Sequence, residues 1–219
     1  MLDRYLIPWQ ERILQRPAAW LAGNGVTANG VTLSGFALGM LAVPAIAFQQ
    51  YLLGLAFILA NRLLDGLDGA IARAAGPTDR GAFLDIALDF FLYGAIPFAF
   101  ALADPGSNAL AASALLLSFV GTGSSFLAFA VIAQKRGLPS SKMPKKGIFY
   151  LGGVTEGAET IGLFVAICLW PTAFATFAAI FVILALTTTA ARWWWGWQAF
   201  AEGTEKRPGA TSLAEPRAL

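Results

Sequence analysis

Long apolar runs separated by short polar breaks dominate this chain. A helix needs about 20 apolar residues to cross a bilayer core of roughly 30 Å, and the sequence offers six such windows. We predict membrane-spanning helices over residues 31–49, 52–74, 81–103, 108–134, 148–170 and 172–195. The breaks between them lie at residues 49–51, 76–77, 104–106, the loop 135–147, and 171. The pattern therefore predicts an all-α integral membrane protein with six transmembrane helices.

The residues before the first span have a mixed pattern. Residues 3–22 combine basic side chains with tryptophans and aliphatic residues, and no apolar run follows the charges. This is typical of an amphipathic helix lying in the membrane interface, not of a cleaved signal peptide. Asn29 or Thr32 is the expected N-cap of the first span. We predict an interfacial helix over 1–25, a membrane domain over 26–200 and a polar, disordered tail over 201–219.

Composition supports the membrane assignment and excludes several kinds of chemistry. The chain is 57% hydrophobic and 13% charged, which is too apolar for an ordinary soluble domain. It contains no histidine, so His-based acid–base catalysis and His-ligated zinc are excluded. Cys168 is the only cysteine, which rules out an internal disulfide and favours a role in core packing.

Lysine and arginine are absent from the connections between spans 1–2, 3–4 and 5–6. They concentrate in the N-terminus, the 2–3 and 4–5 loops and the tail. By the positive-inside rule, both termini lie in the cytoplasm and the protein spans the cell (inner) membrane several times. The tryptophans that follow Arg192 mark the cytoplasmic end of the last span as interfacial anchors.

Four aspartates interrupt the second and third predicted helices. Asp65 and Asp68 share a face of the second helix, and Asp85 and Asp89 share a face of the third. The break between these helices predicts an antiparallel pair, which brings all four carboxylates together near the cytoplasmic surface. Intramembrane carboxylates are costly and by default functional.

Without nitrogen or sulfur ligands, four carboxylates favour the hard divalent cations Mg²⁺, Mn²⁺ or Ca²⁺. Two such ions about 4 Å apart would balance the cluster and provide the clamp used in phosphoryl chemistry.

The spacing of these residues resembles the signature of the CDP-alcohol phosphotransferases, integral membrane enzymes of phospholipid synthesis. The eight matching positions are Asp65-x2-Asp68-Gly69-x2-Ala72-Arg73-x7-Gly81-x3-Asp85-x3-Asp89. The six-helix plan and the polar entry to the first span, residues 26–32, extend the resemblance. Ala28 stands where the family more often has proline, which affects the rigidity of this loop.

The resemblance implies a reaction and a set of site residues. An alcohol attacks the β-phosphate of CDP-diacylglycerol, and a phosphatidyl group is transferred with release of CMP. The four aspartates would bind two Mg²⁺ or Mn²⁺ ions, and Asp89 would be the general base. CDP binding would fall to Asn29, Thr32, Gly69, Ala72, Arg73 and Gly81. The partners implied are CDP-diacylglycerol, a polar alcohol, membrane lipids and a second copy of the chain in a homodimer, with no nucleic acid.

The acceptor alcohol stays open. The basic 4–5 loop is compatible with ordinary positive-inside topology or with a phosphorylated acceptor bound by Lys135, Arg136, Lys142 and Lys146. Glycerol 3-phosphate is the preferred acceptor, followed by inositol phosphate or another polar alcohol.

Several further interpretations are open at this stage. Arg62 pairs with an acid or binds substrate, and Glu156 and Glu159 contact either the acceptor or a basic neighbour. An ion-coupled carrier, or a catalytically silent relative, is the alternative function for the same intramembrane aspartates. Transport, however, gives no reason for the fixed glycines or for the pair Ala72-Arg73.

Overall fold

The computed structural model describes residues 3–137 and 153–201, with side chains from Arg12 onward, and this part of the chain is helical apart from short turns. The helices are α1 Asp3–Gly23, α2 Ala28–Met40, α3 Ala42–Ala47, α4 Tyr51–Ala75, α5 Asp79–Ala103, α6 Pro105–Lys135, α7 Gly157–Leu169 and α8 Phe174–Ala199. A 3-10 turn, Pro171–Ala173, precedes α8. The predicted all-α class is confirmed. The predicted tail from residue 202 onward lies outside the described residues.

Four helical stretches among the described residues are long and apolar enough to cross a membrane. They are Ala28–Ala47, Asp79–Ala103, Pro105–Lys135 and Pro171–Ala199. α4 has 25 residues but carries several charges, and α7 has only 13 residues. The count of six spans and the interfacial position of α1 therefore stay predictions.

The first predicted span is broken near its middle. α2 ends at Met40 and α3 begins at Ala42, because Pro44 has no N–H for the carbonyl of Met40 and its ring crowds that carbonyl. The predicted N-cap is also wrong. Thr27 caps α2, and its hydroxyl oxygen accepts the N–H of Gly30 at 3.2 Å.

The turn between α4 and α5 agrees with the predicted break. Gly76 has a φ of 98°, a conformation that side chains with a Cβ rarely adopt, so it ends α4. Thr78 then caps α5, and its hydroxyl oxygen accepts the N–H of Gly81 at 3.1 Å. This short, well-defined turn fixes how the two aspartate-bearing helices meet.

The described part of the fifth predicted span, 148–170, begins with non-helical backbone. Residues 148–152 lie outside the described part of the chain, and residues 153–156 precede α7 as non-helical backbone. Side-chain oxygens accept all four of their N–H groups: Glu156 accepts from Gly153, Thr188 accepts from Val154 and Thr155, and Glu159 accepts from Glu156. Glu156 is therefore the N-cap of α7, not a residue on its helical face.

Two apolar clusters hold the helices together. The larger one contains Phe100, whose ring stacks on Phe174 at 4.6 Å and on Tyr51 at 5.5 Å. The smaller one joins α1, α2 and α4 through Leu14 and Ile71 and their neighbours. α1 thus buries part of its apolar face against α4.

The end of the bundle away from the aspartates is tied by polar contacts. The Gln49 side chain donates to the carbonyl of Ala103 at 3.1 Å, which joins the α3–α4 turn to the end of α5. Asp104 caps α6 by accepting the N–H of Ser107 at 3.1 Å. Hydrogen bonds from Ser107 hold the pKa of Asp104 below its usual range.

Candidate active site

Three of the four aspartates predicted to bind metal form one cluster. Carboxylate oxygens of Asp65, Asp68 and Asp85 all lie within 4.8 Å of one another. Asp65 and Asp68 are one turn apart on α4, and Asp85 comes from the second turn of α5. The cluster therefore depends on the α4–α5 turn that Gly76 and Thr78 define. We call these three residues the aspartate trio.

α2 completes the walls of a pocket around the trio. It packs against both α4 and α5. Its contribution to the lining is Thr32, Gly35 and Phe36, and the other lining residues are Asn61, Asp65, Asp68, Asp85, Leu88 and Asp89. The parts of α2, α4 and α5 that lie nearest the α4–α5 turn thus enclose a small polar site.

Asp89, the predicted general base, has a different environment from the trio. Arg62 donates to both of its carboxylate oxygens, from Nη2 to Oδ1 at 2.5 Å and from Nη1 to Oδ2 at 3.2 Å. The same Nη1 lies 3.5 Å from Oδ2 of Asp65. Arg62 therefore pairs with acids on both α4 and α5, as one of its two sequence interpretations predicted.

Two further residues hold the guanidinium of Arg62 in place. Oδ1 of Asn61 accepts from Nε and Nη2 at 2.8 and 2.6 Å, and the hydroxyl oxygen of Tyr93 lies 3.2 Å from Nη1. Asn61 is buried. Sequence reasoning missed both residues. The available signal was an asparagine next to an arginine within an apolar run.

The predicted CDP-binding residues lie on the same three helices. An added Cβ on Gly69 would come 3.2 Å from Nη1 of Arg73, so the guanidinium lies close over this glycine. An added Cβ on Gly81 would come 3.1 Å from Oδ1 of Asn29, so α2 and α5 approach each other closely at this glycine. Thr32 lines the pocket, and Ala72 is half-buried on α4.

The predicted acceptor-binding residues receive less support. Lys142 and Lys146 lie outside the described residues. Lys135 is exposed at the end of α6. Arg136 donates to the carbonyl of Phe200 at 3.1 Å and lies 5.4 Å from the centre of its ring. Arg136 thus joins the ends of α6 and α8, and it is not among the residues that line the aspartate pocket.

The trio suits a divalent cation. Asp68 is only 6% exposed, and within the described part of the chain its Oδ2 is buried with no hydrogen-bond partner. A buried anionic oxygen without a partner is costly. Three carboxylates with no nitrogen or sulfur donor form the set of ligands that Mg²⁺ and Mn²⁺ prefer.

Comparisons with known proteins found similar sequences and similar folds. The family model described as CDP-alcohol phosphatidyltransferase matches residues 25–202. The chain is 52% identical over 181 residues to the "Inner membrane protein YnjF" of Escherichia coli (strain K12), which covers 83% of this chain and 88% of that protein.

The fold is similar to that of the phosphatidylinositol phosphate synthase PgsA1 of Mycobacterium tuberculosis. Its crystal structure with manganese and citrate has a TM-score of 0.69, 22% identity and coverage of 90% of this chain and 93% of that chain. Its structure with CDP-DAG bound has a TM-score of 0.68 at the same identity, with coverage of 90% and 99%.

Proposed function

The chain belongs to the CDP-alcohol phosphatidyltransferase family, and on that premise we propose that it transfers a phosphatidyl group from CDP-diacylglycerol to a polar alcohol with release of CMP. The observation that carries the proposal is the aspartate trio, with its carboxylate oxygens within 4.8 Å of one another and Asp89 in the same pocket. The structural similarity to a synthase with CDP-DAG bound supports the choice of donor.

In this proposal the residues of the trio, together with Asp89, would hold two Mg²⁺ or Mn²⁺ ions. The ions would offset negative charge on the diphosphate and on the departing CMP. Arg73, lying over Gly69, would hold the diphosphate, and the small residues Ala72 and Gly81 would leave room for the nucleotide between α4 and α5. Asn29 and Thr32 would seat the nucleotide from α2.

Asp89 is the proposed general base. The acceptor hydroxyl loses its proton to a carboxylate oxygen of Asp89 as its oxygen bonds to the β-phosphorus. The bond from that phosphorus to the CMP oxygen breaks. Proton transfer to a positioned side chain typically contributes about 10²–10⁴-fold to a rate.

We propose glycerol 3-phosphate as the acceptor, then inositol phosphate or another polar alcohol. The support is the excess of positive charge in the 4–5 loop. Because Arg136 is hydrogen-bonded to the carbonyl of Phe200, the positive charges that we assign to acceptor binding are those of Lys135, Lys142 and Lys146. We further propose an inner-membrane homodimer with the pocket on the cytoplasmic side. The name of the Escherichia coli relative and the distribution of basic residues support the membrane and its orientation.

Release of CMP tests the proposed function. Purified protein would be incubated with CDP-diacylglycerol, with Mg²⁺, Mn²⁺ or EDTA, and with each of glycerol 3-phosphate, inositol phosphate, inositol, serine and choline. We expect metal-dependent CMP release with one acceptor and formation of the matching phospholipid. Absence of CMP release with every acceptor, from protein that binds Mn²⁺, would contradict the transferase assignment and favour a carrier or a silent relative.

Replacement of the proposed base is the sharpest single-residue test. Asp89→Asn keeps the shape of the side chain but removes its basicity, so we expect turnover to fall by at least about 10²-fold. Asp79→Asn, an exposed change in the first turn of the same helix, should keep normal turnover. Gel filtration of both variants would confirm folding, and full activity of folded Asp89→Asn would refute the assignment.

A further inference from the structure

Arg62 is hydrogen-bonded to Asp89, whose carboxylate would bind a metal ion in the proposed function. Both oxygens of Asp89 accept hydrogen bonds from Arg62, and the shorter of these contacts is 2.5 Å. Asp65, Asp68 and Asp85 form the trio, which Arg62 reaches only through its longer, 3.5 Å contact with Asp65. The pair is largely shielded from water, with side-chain exposures of 15% for Arg62 and 29% for Asp89. Such a two-pronged, charge-assisted contact is much stronger than one on an open surface.

The guanidinium of Arg62 is preorganised for this contact. Asn61 on α4 accepts two hydrogen bonds from the guanidinium, and Tyr93 on α5 accepts a third. The ring of Tyr93 also lies 5.5 Å from the guanidinium carbon, within range of a cation–π contact. Because these neighbours fix Arg62, movement of Asp89 is the simpler way to break the pair.

We propose that Arg62 is a positioning residue that holds Asp89 away from the aspartate trio, so that Asp89 joins the metal-binding set only by exchanging Arg62 for a second divalent ion. This inference rests on the proposed function, in which all four aspartates serve two ions. It divides ion binding into two unequal steps. The first ion uses the trio and leaves the Arg62–Asp89 pair intact, and the second competes with Arg62.

Titration with Mn²⁺ measures both steps without any reaction. Free Mn²⁺ would be followed by electron paramagnetic resonance in nanodisc-embedded wild-type protein, Arg62→Met, Arg62→Lys, Asp89→Asn and the double variant Arg62→Met with Asp89→Asn. Arg80→Met is the matched control, because it removes a positive charge from the exposed start of α5, about 13 Å along the helix from Asp89.

We expect one tight and one weaker Mn²⁺ in the wild type. Arg62→Met should tighten the second ion by about tenfold or more, in line with the strength of hydrogen bonds to charged groups, and should affect the first ion less. Arg62→Lys should give a smaller change in the same direction, and Arg80→Met should match the wild type. In the Asp89→Asn background, Arg62→Met should produce no such tightening, since the pair is already lost.

Unchanged or weaker binding of the second ion in Arg62→Met would overturn the proposal. Equal tightening in the Asp89→Asn background would also overturn it, because the effect would then come from the general loss of positive charge. If Arg62→Met fails to bind the first ion, Arg62→Lys decides the matter by the same comparison. A wild type that binds no Mn²⁺ refutes the inference together with the metal-dependent function.

The inference and the proposed function fail in different measurements. Mn²⁺ binding that depends on Arg62, in a protein that releases no CMP, would sustain the competition and refute the transferase. Metal-dependent CMP release, in a protein whose Mn²⁺ binding does not change when Arg62 is replaced, would support the transferase and refute the competition.

Discussion

Asp68 carries a buried carboxylate that destabilises the ion-free fold and that is suited to binding a metal ion. Its side chain is 6% exposed, and one carboxylate oxygen has no partner among the described residues. Removal of a charged group from water is expensive unless hydrogen bonds or an opposite charge compensate. A divalent ion held by the trio would supply that compensation, so the ion-free protein carries a local destabilisation.

Asp68→Asn should separate these two effects. The neutral amide removes the unpaired charge, so we expect a higher Tm than the wild type in EDTA. The stabilisation by Mn²⁺, about 2.7 kcal/mol at a hundredfold excess over Kd for a single site, should be lost. Thermal unfolding with and without Mn²⁺ measures both. Asp79→Asn, a charge change outside the pocket, should behave as wild type in Mn²⁺, and a normal Mn²⁺ shift in Asp68→Asn would contradict the role of the trio.

For single residues, the sequence predicted which side chains share one face of a helix. It was less informative about which side chains on different helices contact each other. The spacing of Asp65 and Asp68, or of Asp85 and Asp89, is visible without a structure because a helix repeats every 3.6 residues. The contact of Arg62 with Asp89 joins residues 27 positions apart, and helical spacing says nothing about it. Asn61 was missed for the same reason, since its role depends on Arg62.

Among the helices, α2 matters for the site because it packs against both α4 and α5 and lines the aspartate pocket. Close approach requires small residues on its inner face. An added Cβ on Gly35 would lie 3.0 Å from Cβ of Leu64, and one on Gly39 would lie 2.9 Å from Cβ of Asn61 and 3.1 Å from a methyl group of Leu92. The two glycines let α2 close the pocket and support the residue that holds Arg62.

Gly39→Ala should therefore disturb packing and the site together. The new methyl group would lie 2.9 Å from Cβ of Asn61, an atom that cannot move without its backbone. We therefore expect a loss of about 1–3 kcal/mol of stability, as for other overpacked cores, and reduced activity. Gly162→Ala is the matched control, because Gly162 is also inside a helix but has no atom within 4 Å of an added Cβ. It should leave stability unchanged or raise it by roughly 0.5–1 kcal/mol. Thermal unfolding in detergent makes the comparison, and equal Tm values for both variants would argue against the close fit of α2.

Helix boundaries were predicted well where glycine and proline stand next to each other in a polar break, and less well elsewhere. Gly76 with Pro77 and Pro105 mark ends that the structure reproduces. Pro44 was overlooked as a break because the apolar run continues on both sides of it. The start of α7 was placed too early because the hydrogen bonds from residues 153–156 go to Thr188 and to two glutamates, a solution that hydropathy cannot reveal.

Over the whole molecule, exposed basic residues and four exposed tryptophans lie towards the end that contains the aspartates. Trp193, Trp194, Trp195 and Trp197, near the end of α8, are 47–78% exposed. This arrangement agrees with an aromatic belt at the cytoplasmic surface, which stays a prediction. By contrast, Arg192 is buried and donates to the carbonyl of Thr122 at 2.9 Å, so it joins α8 to α6.

Single-cysteine labelling tests the orientation of the molecule. Cys168 is 2% exposed, so the natural chain should give little background with a membrane-impermeant maleimide. Arg80→Cys, at the aspartate end, should be labelled only in inverted vesicles, and Asp104→Cys, at the opposite end, only in intact spheroplasts. Both positions are exposed. The reverse pattern would place the site outside the cytoplasm and refute the predicted topology.

The short length of α7 has a consequence for the surrounding lipid. Its 13 residues span about 20 Å, against roughly 30 Å for the hydrocarbon core. Residues 153–156 extend it without exposing unpaired N–H groups, because side chains accept all four. Such satisfied irregular backbone is tolerated at membrane depth. On the predicted topology, hydrophobic mismatch beside α7 would thin the leaflet on the side of the aspartates. In the proposed reaction, a water-soluble alcohol would then have a shorter distance to cover to a lipid-anchored phosphate.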